Sequence, residues 1–170
     1  VRERLRRRFG DDSRIAVIGP AELEALPDGS IDLAVMHSVS QYLSPPELDG
    51  TLRLFRRLLT AEGRLLVGDV LQPQTSALTD AVALLNFGLR QGFFMAAFAG
   101  LLRTLFSSYW TLRSTLGLTR YSETDMLGRL AAAGFSGKRS ATNIGHNQAR
   151  MTFLARPAAG GEATPALTGP

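Results

Sequence analysis

The pattern of apolar and polar residues from Ile31 to Asp69 predicts a strand, a helix and a second strand in succession. Residues 31–36 are apolar on both faces of an extended chain, which is typical of a central parallel strand covered by helices. Ser44 is placed to cap the helix that follows, with Glu47 three residues on in a capping-box arrangement. The apolar stripe of this helix consists of Leu48, Leu52, Phe55, Leu58 and Leu59.

The residues Glu62-Gly63 are predicted to turn the chain into the second strand, 64–70. Two parallel strands joined by a helix imply a right-handed crossover. Shorter elements precede this unit: a helix over 2–9 that ends at Gly10, an apolar strand over 14–18, and a turn at Gly19-Pro20 leading into a short helix over 21–25. Successive strand and helix segments point to an open α/β sheet.

From Thr75 to Thr119 the pattern changes to long helical runs rich in aromatic residues, which predicts a helical insertion. Its most apolar part, residues 92–102, is too short to span a bilayer and is bounded by Arg90 and Arg103. This segment therefore reads as part of an insertion and not as a transmembrane helix.

Beyond the insertion, Ser122 is predicted to cap a helix through 133, with Gly134 as its stop. A strand over 138–144, a turn at 145–147 and a strand over 150–156 then form a C-terminal antiparallel β-hairpin. The tail 157–170 is rich in Ala, Gly, Pro and Thr and is expected to be disordered. The predicted domain is thus 1–156, with the insertion at 75–119.

Composition narrows the functional classes. With 45% hydrophobic and 20% charged residues over 170 positions, the chain can bury the core of one domain. The absence of cysteine excludes disulfides and thiolate metal sites, and His37 and His146 are too few for a zinc centre without carboxylate help, so we expect no metal. No secretory signal opens the chain, and we expect an intracellular, cytoplasmic location. A start at Val1 suggests that the N-terminus has been cut.

The net charge of +4 arises from an excess of arginine, part of which gathers in Arg2, Arg4, Arg6, Arg7 and Arg8. Such a cluster can bind nucleic acid or a membrane surface, or it can be the solvated face of a helix. We favour the solvated face, because no base-stacking aromatic residues interleave with the arginines and Leu5 with Phe9 makes an apolar i, i+4 stripe. No nucleic-acid partner is expected.

The order of these landmarks resembles a class I S-adenosylmethionine-dependent methyltransferase of the small-molecule type, from its second helix to its last strand. The segment VRERLRRRFGDDSRIAVIGPAELEALPDGSIDLAV is similar to the family stretch of helix, strand, acidic turn, Leu-Pro and Asp-containing strand. EGRLLV at 62–67 resembles the Gly-Gly-x-Leu entry to the fifth strand, and SETDMLGRLAAAGF resembles the helix that ends in Gly-Phe. The resemblance implies a Rossmann-like open, mostly parallel sheet with flanking helices, a helical lid insertion and S-adenosylmethionine as cofactor.

The resemblance also shows what the sequence lacks. The glycine-rich cofactor loop and the acidic ribose ligand of the family do not occur in these residues, as if the first two strands lay upstream of Val1. Pro20 stands where relatives commonly carry an acidic residue that binds the adenine amino group. We therefore expect the fragment alone to be inactive, and its strand at 14–18 either to pair non-natively with the strand at Ile31 or to stay loosely held with its apolar side chains exposed.

In open parallel sheets the ligand lies beyond the carboxyl ends of the strands. This rule and the resemblance select the candidate cofactor-binding residues Gly19, Pro20, Ala21, Glu22, His37, Ser38, Val39 and Tyr42. His37 and His146 are candidate general bases, because histidine titrates near neutral pH, or alternatively line the cofactor site or stabilise a turn. The candidate substrate-binding residues are Asp69, Phe87, Phe94, Phe98, Trp110, Tyr121 and Asn147. For Asp69 the alternative is capping of a strand end, and for the aromatic residues it is core packing.

Three functional readings remain. The first is transfer of a methyl group to a small, apolar or aromatic acceptor, with the insertion as a lid. The second is a non-catalytic methyltransferase-like module whose insertion binds a partner protein or, through residues 92–106, a membrane surface. The third reading, a nicotinamide-dependent dehydrogenase, is the least favoured, because no dinucleotide-binding glycine motif is visible. The acceptor atom and the oligomeric state do not follow from the sequence.

Overall fold

The computed structural model describes residues 2–74, 77–105 and 118–159. Its helices are α1 (Arg2–Phe9), α2 (Pro20–Glu24), α3 (Pro45–Leu58), α4 (Ala77–Arg90), α5 (Phe94–Leu105) and α6 (Glu123–Ala132). Its strands are β1 (Ile31–His37), β2 (Leu59–Val70), β3 (Phe135–Arg139) and β4 (Met151–Pro157). The helices predicted from the caps Ser44 and Ser122 are confirmed as α3 and α6.

The four strands of the described residues form one sheet in the order β1-β2-β4-β3. β1 pairs parallel with β2, whereas β4 pairs antiparallel with both β2 and β3. β3 therefore runs in the same direction as β1 and β2. Three strands in one direction, a C-terminal hairpin and flanking helices confirm the predicted α/β class.

The start of α3 follows the predicted capping chemistry. The Glu47 carboxylate accepts a hydrogen bond from the Ser44 hydroxyl at 2.6 Å and from the Ser44 backbone N–H at 2.8 Å. These two bonds hold the pKa of Glu47 below its usual value, the hydroxyl contributing most. Further along the helix, Leu48 and Leu52 of the predicted stripe are fully buried, so α3 is anchored at its start and along one face.

One face of the sheet packs against α3 and α6. Alternate side chains of the strands turn to this face, where they meet the apolar stripes of both helices. The shared core comprises Ala34, Met36, Leu65, Val67, Phe153 and Ala155 of the strands, Leu48 and Leu52 of α3, and Met126 and Leu130 of α6. The opposite face of the sheet carries Leu33 and Val35, which remain 57% and 55% exposed.

The strand predicted over 14–18 is wrong. These residues form neither helix nor strand, and Ile15 and Ile18 are 42% and 40% exposed. A strand needs a neighbouring strand to bond its backbone N–H and C=O groups. β1 is the outer strand of the described sheet, with β2 on one side, and residues 14–18 do not pair with its other side. Of the two expectations, the pairing with β1 does not occur, and the exposure of apolar side chains does.

Two strand boundaries also differ from the sequence pattern. Glu62-Gly63 lies inside β2, at a bulge. Ile31 of β1 pairs with Leu59 of β2, but Leu33, two residues on, pairs with Arg64, five residues on. A bulge of this kind accommodates extra residues without ending the strand. β3 ends at Arg139 and does not reach 144, because residues 140–150 form a loop stabilised by its own side chains, described below.

The described residues of the predicted insertion contain two helices that pack on each other. Gly88 of α4 lies so close to Ala97 of α5 that a Cβ placed on Gly88 would stand 3.0 Å from the Ala97 Cβ. Within the part of the chain that the structure describes, no helix has the length and apolar character needed to cross a membrane. Residues 75–76 and 106–117 of the insertion, and 160–170 of the predicted tail, lie outside the described residues, and the division into domain and tail stays a prediction.

Candidate functional site

The parallel strands β1 and β2 end together at one edge of the sheet. His37, the last residue of β1, pairs with Gly68, and the Ser38 N–H continues the ladder to the Gly68 carbonyl at 3.1 Å. Immediately beyond, Ser38 has φ 56° and Asp69 has φ 62°. Left-handed backbone is uncommon in residues other than glycine and persists where surrounding structure enforces it. Both strand ends are therefore held in strained conformations side by side.

The Asp69 carboxylate enforces this arrangement. Its Oδ2 atom accepts hydrogen bonds from the Ser38 hydroxyl at 2.6 Å and from the Arg150 guanidinium, and its Oδ1 atom accepts from the Asn143 side-chain amide at 3.2 Å. The Asp69 side chain is 8% exposed and that of Arg150 14%. A buried carboxylate with a cation and two hydrogen-bond donors is fully compensated. This geometry favours the alternative in which Asp69 caps the strand end.

The loop over 140–150 is tied to the same edge through Asn143. Its side-chain oxygen accepts from the Asp69 backbone N–H at 3.3 Å and from the Thr152 hydroxyl at 2.7 Å, and its amide donates to the Asn147 carbonyl at 2.9 Å. Gln148 closes the loop by exchanging hydrogen bonds with the backbone of Asn143, at 2.9 and 3.0 Å. Because β3 runs in the same direction as β2, this loop reaches the carboxyl edge, as the resemblance implies.

Gly68 lies beneath two of the edge side chains. A Cβ placed on Gly68 would stand 2.7 Å from Ile144 Cδ1 and 2.8 Å from His37 Nδ1. Since real Cβ atoms essentially never approach other atoms so closely, only glycine leaves room for both side chains here. His37 therefore lies beside Ile144 of the 140–150 loop, and His37 is exposed.

The insertion contacts the same edge. The ring of Phe87, on α4, lies 5.7 Å from the ring of His146, centroid to centroid, and 5.5 Å from the ring of Phe93 in an edge-to-face arrangement. At its far end, the Thr119 N–H donates to the Gln41 carbonyl at 3.0 Å, and the Tyr121 N–H donates to the Leu71 carbonyl at 2.9 Å. The chain therefore leaves β2, forms the insertion and returns across the ends of β1 and β2.

The predicted cofactor residues fall into two groups. Ser38 and Val39 lie at the carboxyl edge, together with the 3₁₀ turn Ser40–Tyr42, in which Tyr42 is 60% exposed. By contrast, the carboxylate of Glu22 accepts hydrogen bonds from the Gly19 N–H and from Arg2. Because residues 14–18 form no strand, sheet pairing does not bring Gly19, Pro20, Ala21 and Glu22 to that edge, and their cofactor role stays a prediction.

Two buried polar atoms of the turn after β1 lack partners within the described part of the chain. Ser40 and Gln41 are 1% and 4% exposed, yet Ser40 Oγ and Gln41 Oε1 have no hydrogen-bond partner among those residues. Leaving such groups unpaired costs free energy, so they are the atoms at this edge that a bound polar group would stabilise most.

The predicted substrate-binding residues lie in different parts of the structure. Phe87 lies at the edge, and Phe94 and Phe98 stack at 6.2 Å on α5, each of the three 37–41% exposed. Asn147 is 2% exposed and accepts from the Ala149 N–H within the loop. Trp110 lies outside the described residues.

Tyr121 belongs to the hydrophobic core, where it is 3% exposed. The Arg129 guanidinium of α6 lies 5.4 Å from its ring, and burial raises the pKa of the Tyr121 phenol against a smaller lowering by Arg129. Its side chain therefore faces the helices of the covered sheet face, which favours the core alternative over pocket lining.

Sequence reasoning missed the residues that hold the edge together. Asn143 and Arg150 lie in a segment with turn-like composition, and their partner Asp69 is more than 70 residues away along the chain. Thr152, just beyond that segment, donates to Asn143. The one available signal was the close spacing of Asn143, Asn147 and Gln148, amide side chains that commonly bond to nearby backbone. Among the described residues, no group of three or more His, Cys, Asp or Glu side chains is placed to hold a metal ion.

Solved structures share this fold. PigF with SAH matches with a TM-score of 0.56 and 20% identity, over 91% of this chain and 40% of its own. The mitomycin 7-O-methyltransferase MmcR matches at 0.56 and 18%, over 91% and 38%. CalO1, a methyltransferase in calicheamicin biosynthesis in its SAH-bound form, matches at 0.52 and 18%, over 86% and 35%. The chain thus spans about two fifths of the length of these structures and has the fold of class I S-adenosylmethionine-dependent methyltransferases. No protein-family model matches the chain, and no curated protein matches it.

Proposed function

We propose that this chain forms the later part of an S-adenosylmethionine-dependent methyltransferase that acts on a small, apolar or aromatic acceptor. The observation that carries the proposal is the meeting of three segments at one edge: the strained ends of β1 and β2, the 140–150 loop, and α4, joined through Phe87 and His146. Ligands of open α/β sheets lie beyond the carboxyl ends of the strands. SAH-bound neighbours with the same fold support the choice of cofactor.

The described residues fit part of a cofactor site. The turn over 38–42 would line it, and the orphaned Ser40 Oγ and Gln41 Oε1 are the polar atoms there that a ligand group would satisfy. No G-x-G pattern occurs anywhere in the 170 residues, so these residues do not supply the close backbone approach of a glycine-rich turn. We therefore propose that this piece binds S-adenosylmethionine weakly and is inactive by itself.

When bound, S-adenosylmethionine would supply an activated methyl group, and the chain's own residues would act by positioning and by excluding water. Phe87 at the edge and the exposed rings of Phe94 and Phe98 on α5 provide apolar surface for a planar or lipophilic acceptor. His146, whose ring lies 5.7 Å from that of Phe87, and His37, at the end of β1, would take a proton if the acceptor must lose one. These exposed aromatic rings support the proposed acceptor class.

Titration of ¹⁵N-labelled chain with S-adenosylhomocysteine, followed by amide NMR, tests the proposal. We expect shifts confined to residues 38–42 and 69–72, with a dissociation constant in the millimolar range. NAD⁺ at equal concentration is the matched control, because a dehydrogenase would reverse the preference. Absence of shifts would contradict the cofactor assignment, whereas micromolar affinity would contradict only the proposal that the site is partial.

A second candidate is a non-catalytic module whose insertion binds a partner or a membrane surface. It is favoured by Leu89 and Met95, which are 67% and 74% exposed on α4 and at the start of α5. Co-sedimentation with anionic vesicles separates the candidates: binding that is lost in Leu89→Glu/Met95→Glu would support this module. No binding by either protein would leave methyl transfer as the better-supported function.

A further inference from the structure

Ile144 is an exposed apolar side chain in a loop whose amide side chains turn inward. Asn143 and Asn147 are 7% and 2% exposed, whereas Ile144 is 53% exposed. A single apolar residue at a protein surface is ordinary and by itself indicates nothing. Ile144 differs because the loop places it at the edge where β1 and β2 end.

The backbone on both sides of Ile144 is fixed. The Ile144 N–H donates to the Thr152 hydroxyl at 3.1 Å, and Thr152 is buried. On the other side, a Cβ placed on Gly145 would stand 2.9 Å from Asn143 Nδ2 and 3.0 Å from Asp69 Oδ1, so the loop backbone packs directly on these groups. Because isoleucine branches at Cβ, its side chain also has few rotamers. The position of the Ile144 side chain is therefore well defined.

The Ile144 side chain lies beside the imidazole of His37. A Cβ placed on Gly68 would stand 2.7 Å from Ile144 Cδ1 and 2.8 Å from His37 Nδ1, so the two side chains are neighbours above the same glycine. Two residues further along the loop, the ring of His146 lies 5.7 Å from the ring of Phe87. Ile144 is thus next to one imidazole in space and next but one to the other along the chain.

We propose that Ile144 determines the size of the acceptor that can approach His37. This inference rests on the proposed function, because it takes the edge as the place where the acceptor binds. The fixed backbone holds the branched side chain in the space over Gly68, and a planar acceptor must pass beside it to reach the imidazole. A single aromatic ring needs less of that space than two fused rings.

A purely structural role for Ile144 makes a different prediction. If the side chain only covered Gly68, its truncation would change stability and would leave the relative affinity for small and large ligands unchanged. A specificity role changes that ratio, because the free energy of binding in an apolar site depends on whether each ring fits the space available. The ratio of two affinities is therefore the quantity to measure.

Phenol and naphthol are suitable probes, because both are planar and uncharged at neutral pH and they differ by one fused ring. The imidazole signals in the NMR spectrum provide the readout, since His37 and His146 are the only histidines of the chain. In Ile144→Ala, we expect the affinity for naphthol relative to phenol to rise about tenfold, and in Ile144→Trp we expect it to fall. Opposite changes in the two variants cannot arise from misfolding.

Ile15→Ala is the matched control. It removes the same atoms from an isoleucine that is 42% exposed and whose N–H bonds to Asp12 in the segment after α1, and the ratio should stay as in the parent chain. If both ligands shift the imidazole signals but the two Ile144 variants keep the parent ratio, the inference is wrong and the proposed function is untouched. If neither ligand shifts these signals in the parent chain, the proposed acceptor class is wrong and the inference falls with it.

Discussion

Ser38 and Asp69 join the ends of two parallel strands through a 2.6 Å hydrogen bond, although each residue has left-handed backbone. Strain of this size, about 1 to 3 kcal/mol per residue, persists only where contacts over-determine it. Here the contacts are the bonds from Arg150 and Asn143 to the same carboxylate. Asp69 therefore couples the strand ends to the loop that carries His146.

Removing the Asp69 charge should weaken this junction. Asp69→Asn retains a side chain that tolerates left-handed backbone but deprives Arg150 of its carboxylate. Breaking a buried ion pair on one side costs about 3 kcal/mol, and urea denaturation should show a loss of that order. Asp28→Asn is the matched control: its pair with Arg57 lies at the surface, with Asp28 76% exposed, so its loss should stay below about 1 kcal/mol. Equal losses in the two variants would contradict the coupling role.

A methyl group on Gly68 should displace the edge side chains. Gly68→Ala would force His37 and Ile144 away from contacts of 2.8 and 2.7 Å, and we expect a stability loss of about 1 to 3 kcal/mol. The His37 imidazole resonances should shift in the NMR spectrum. Gly128→Ala is the control, because its Cβ would meet nothing within 4 Å inside α6 and should stabilise the chain by about 1 kcal/mol. Unchanged His37 resonances in Gly68→Ala would show that the close approach is not maintained in solution.

The central βαβ unit followed from the sequence because its signals are local. The Ser44 cap, the Glu47 carboxylate and the stripe through Leu48 and Leu52 act within one helix, and the structure retains all of them. The segment over 14–18 has the same apolar character as a strand, but a strand exists only with a neighbour. Pairing is a tertiary property, so local pattern alone mispredicted it.

The sequence predicted which residues meet at the candidate edge but not the hydrogen bonds that join them. The rule that ligands lie at carboxyl ends selected the edge of the sheet at which the structure brings His37 and Asp69 together. Nothing local links Asp69 to Asn143 or Arg150, which lie 74 and 81 residues away. The contacts of individual residues depend on such distant partners: the Asp69 carboxylate bonds to Ser38 after β1 and to Asn143 and Arg150 of the 140–150 loop, and its role in substrate binding stays a prediction.

Substitution of Tyr121 should distinguish core packing from ligand binding. The buried Tyr121 hydroxyl has no hydrogen-bond partner in the described part of the chain, so Tyr121→Phe removes an unsatisfied group and should keep or slightly raise stability. Tyr121→Ala leaves a cavity and should cost about 3 kcal/mol or more. Thermal unfolding of both variants provides the measurement. A clear loss in Tyr121→Phe would mean that the hydroxyl has a partner in solution.

The cap of α6 should make stability depend on pH in acid. Hydrogen bonds from Ser122, first its hydroxyl and then its backbone N–H, hold the pKa of Asp125 below its ordinary value of 3.8. A lowered pKa in the folded state means that the ionised form stabilises the fold above the unfolded pKa, and this contribution is lost as pH falls through the folded pKa. The parent chain should therefore melt at a higher temperature than Asp125→Ala at pH 7, and this difference in melting temperature should disappear in stronger acid.

The Ser122 hydroxyl provides the control for this pH effect. In a Ser122→Ala background, Asp125→Ala should change the melting temperature less than it does in the parent chain, because the main source of the lowered pKa is gone. An equal change in both backgrounds, at every pH, would show that the two side chains do not interact in solution.

The place of β4 between β2 and β3 has a consequence for how the molecule folds. β4 is the last described element in the sequence, yet it is the strand to which both neighbours bond. During synthesis the backbone groups along one edge of β2 therefore have no strand partner until β4, about 90 residues later in the chain, has been made. Contacts of such long range slow folding, so we infer that the sheet closes only when the C-terminal strand leaves the ribosome.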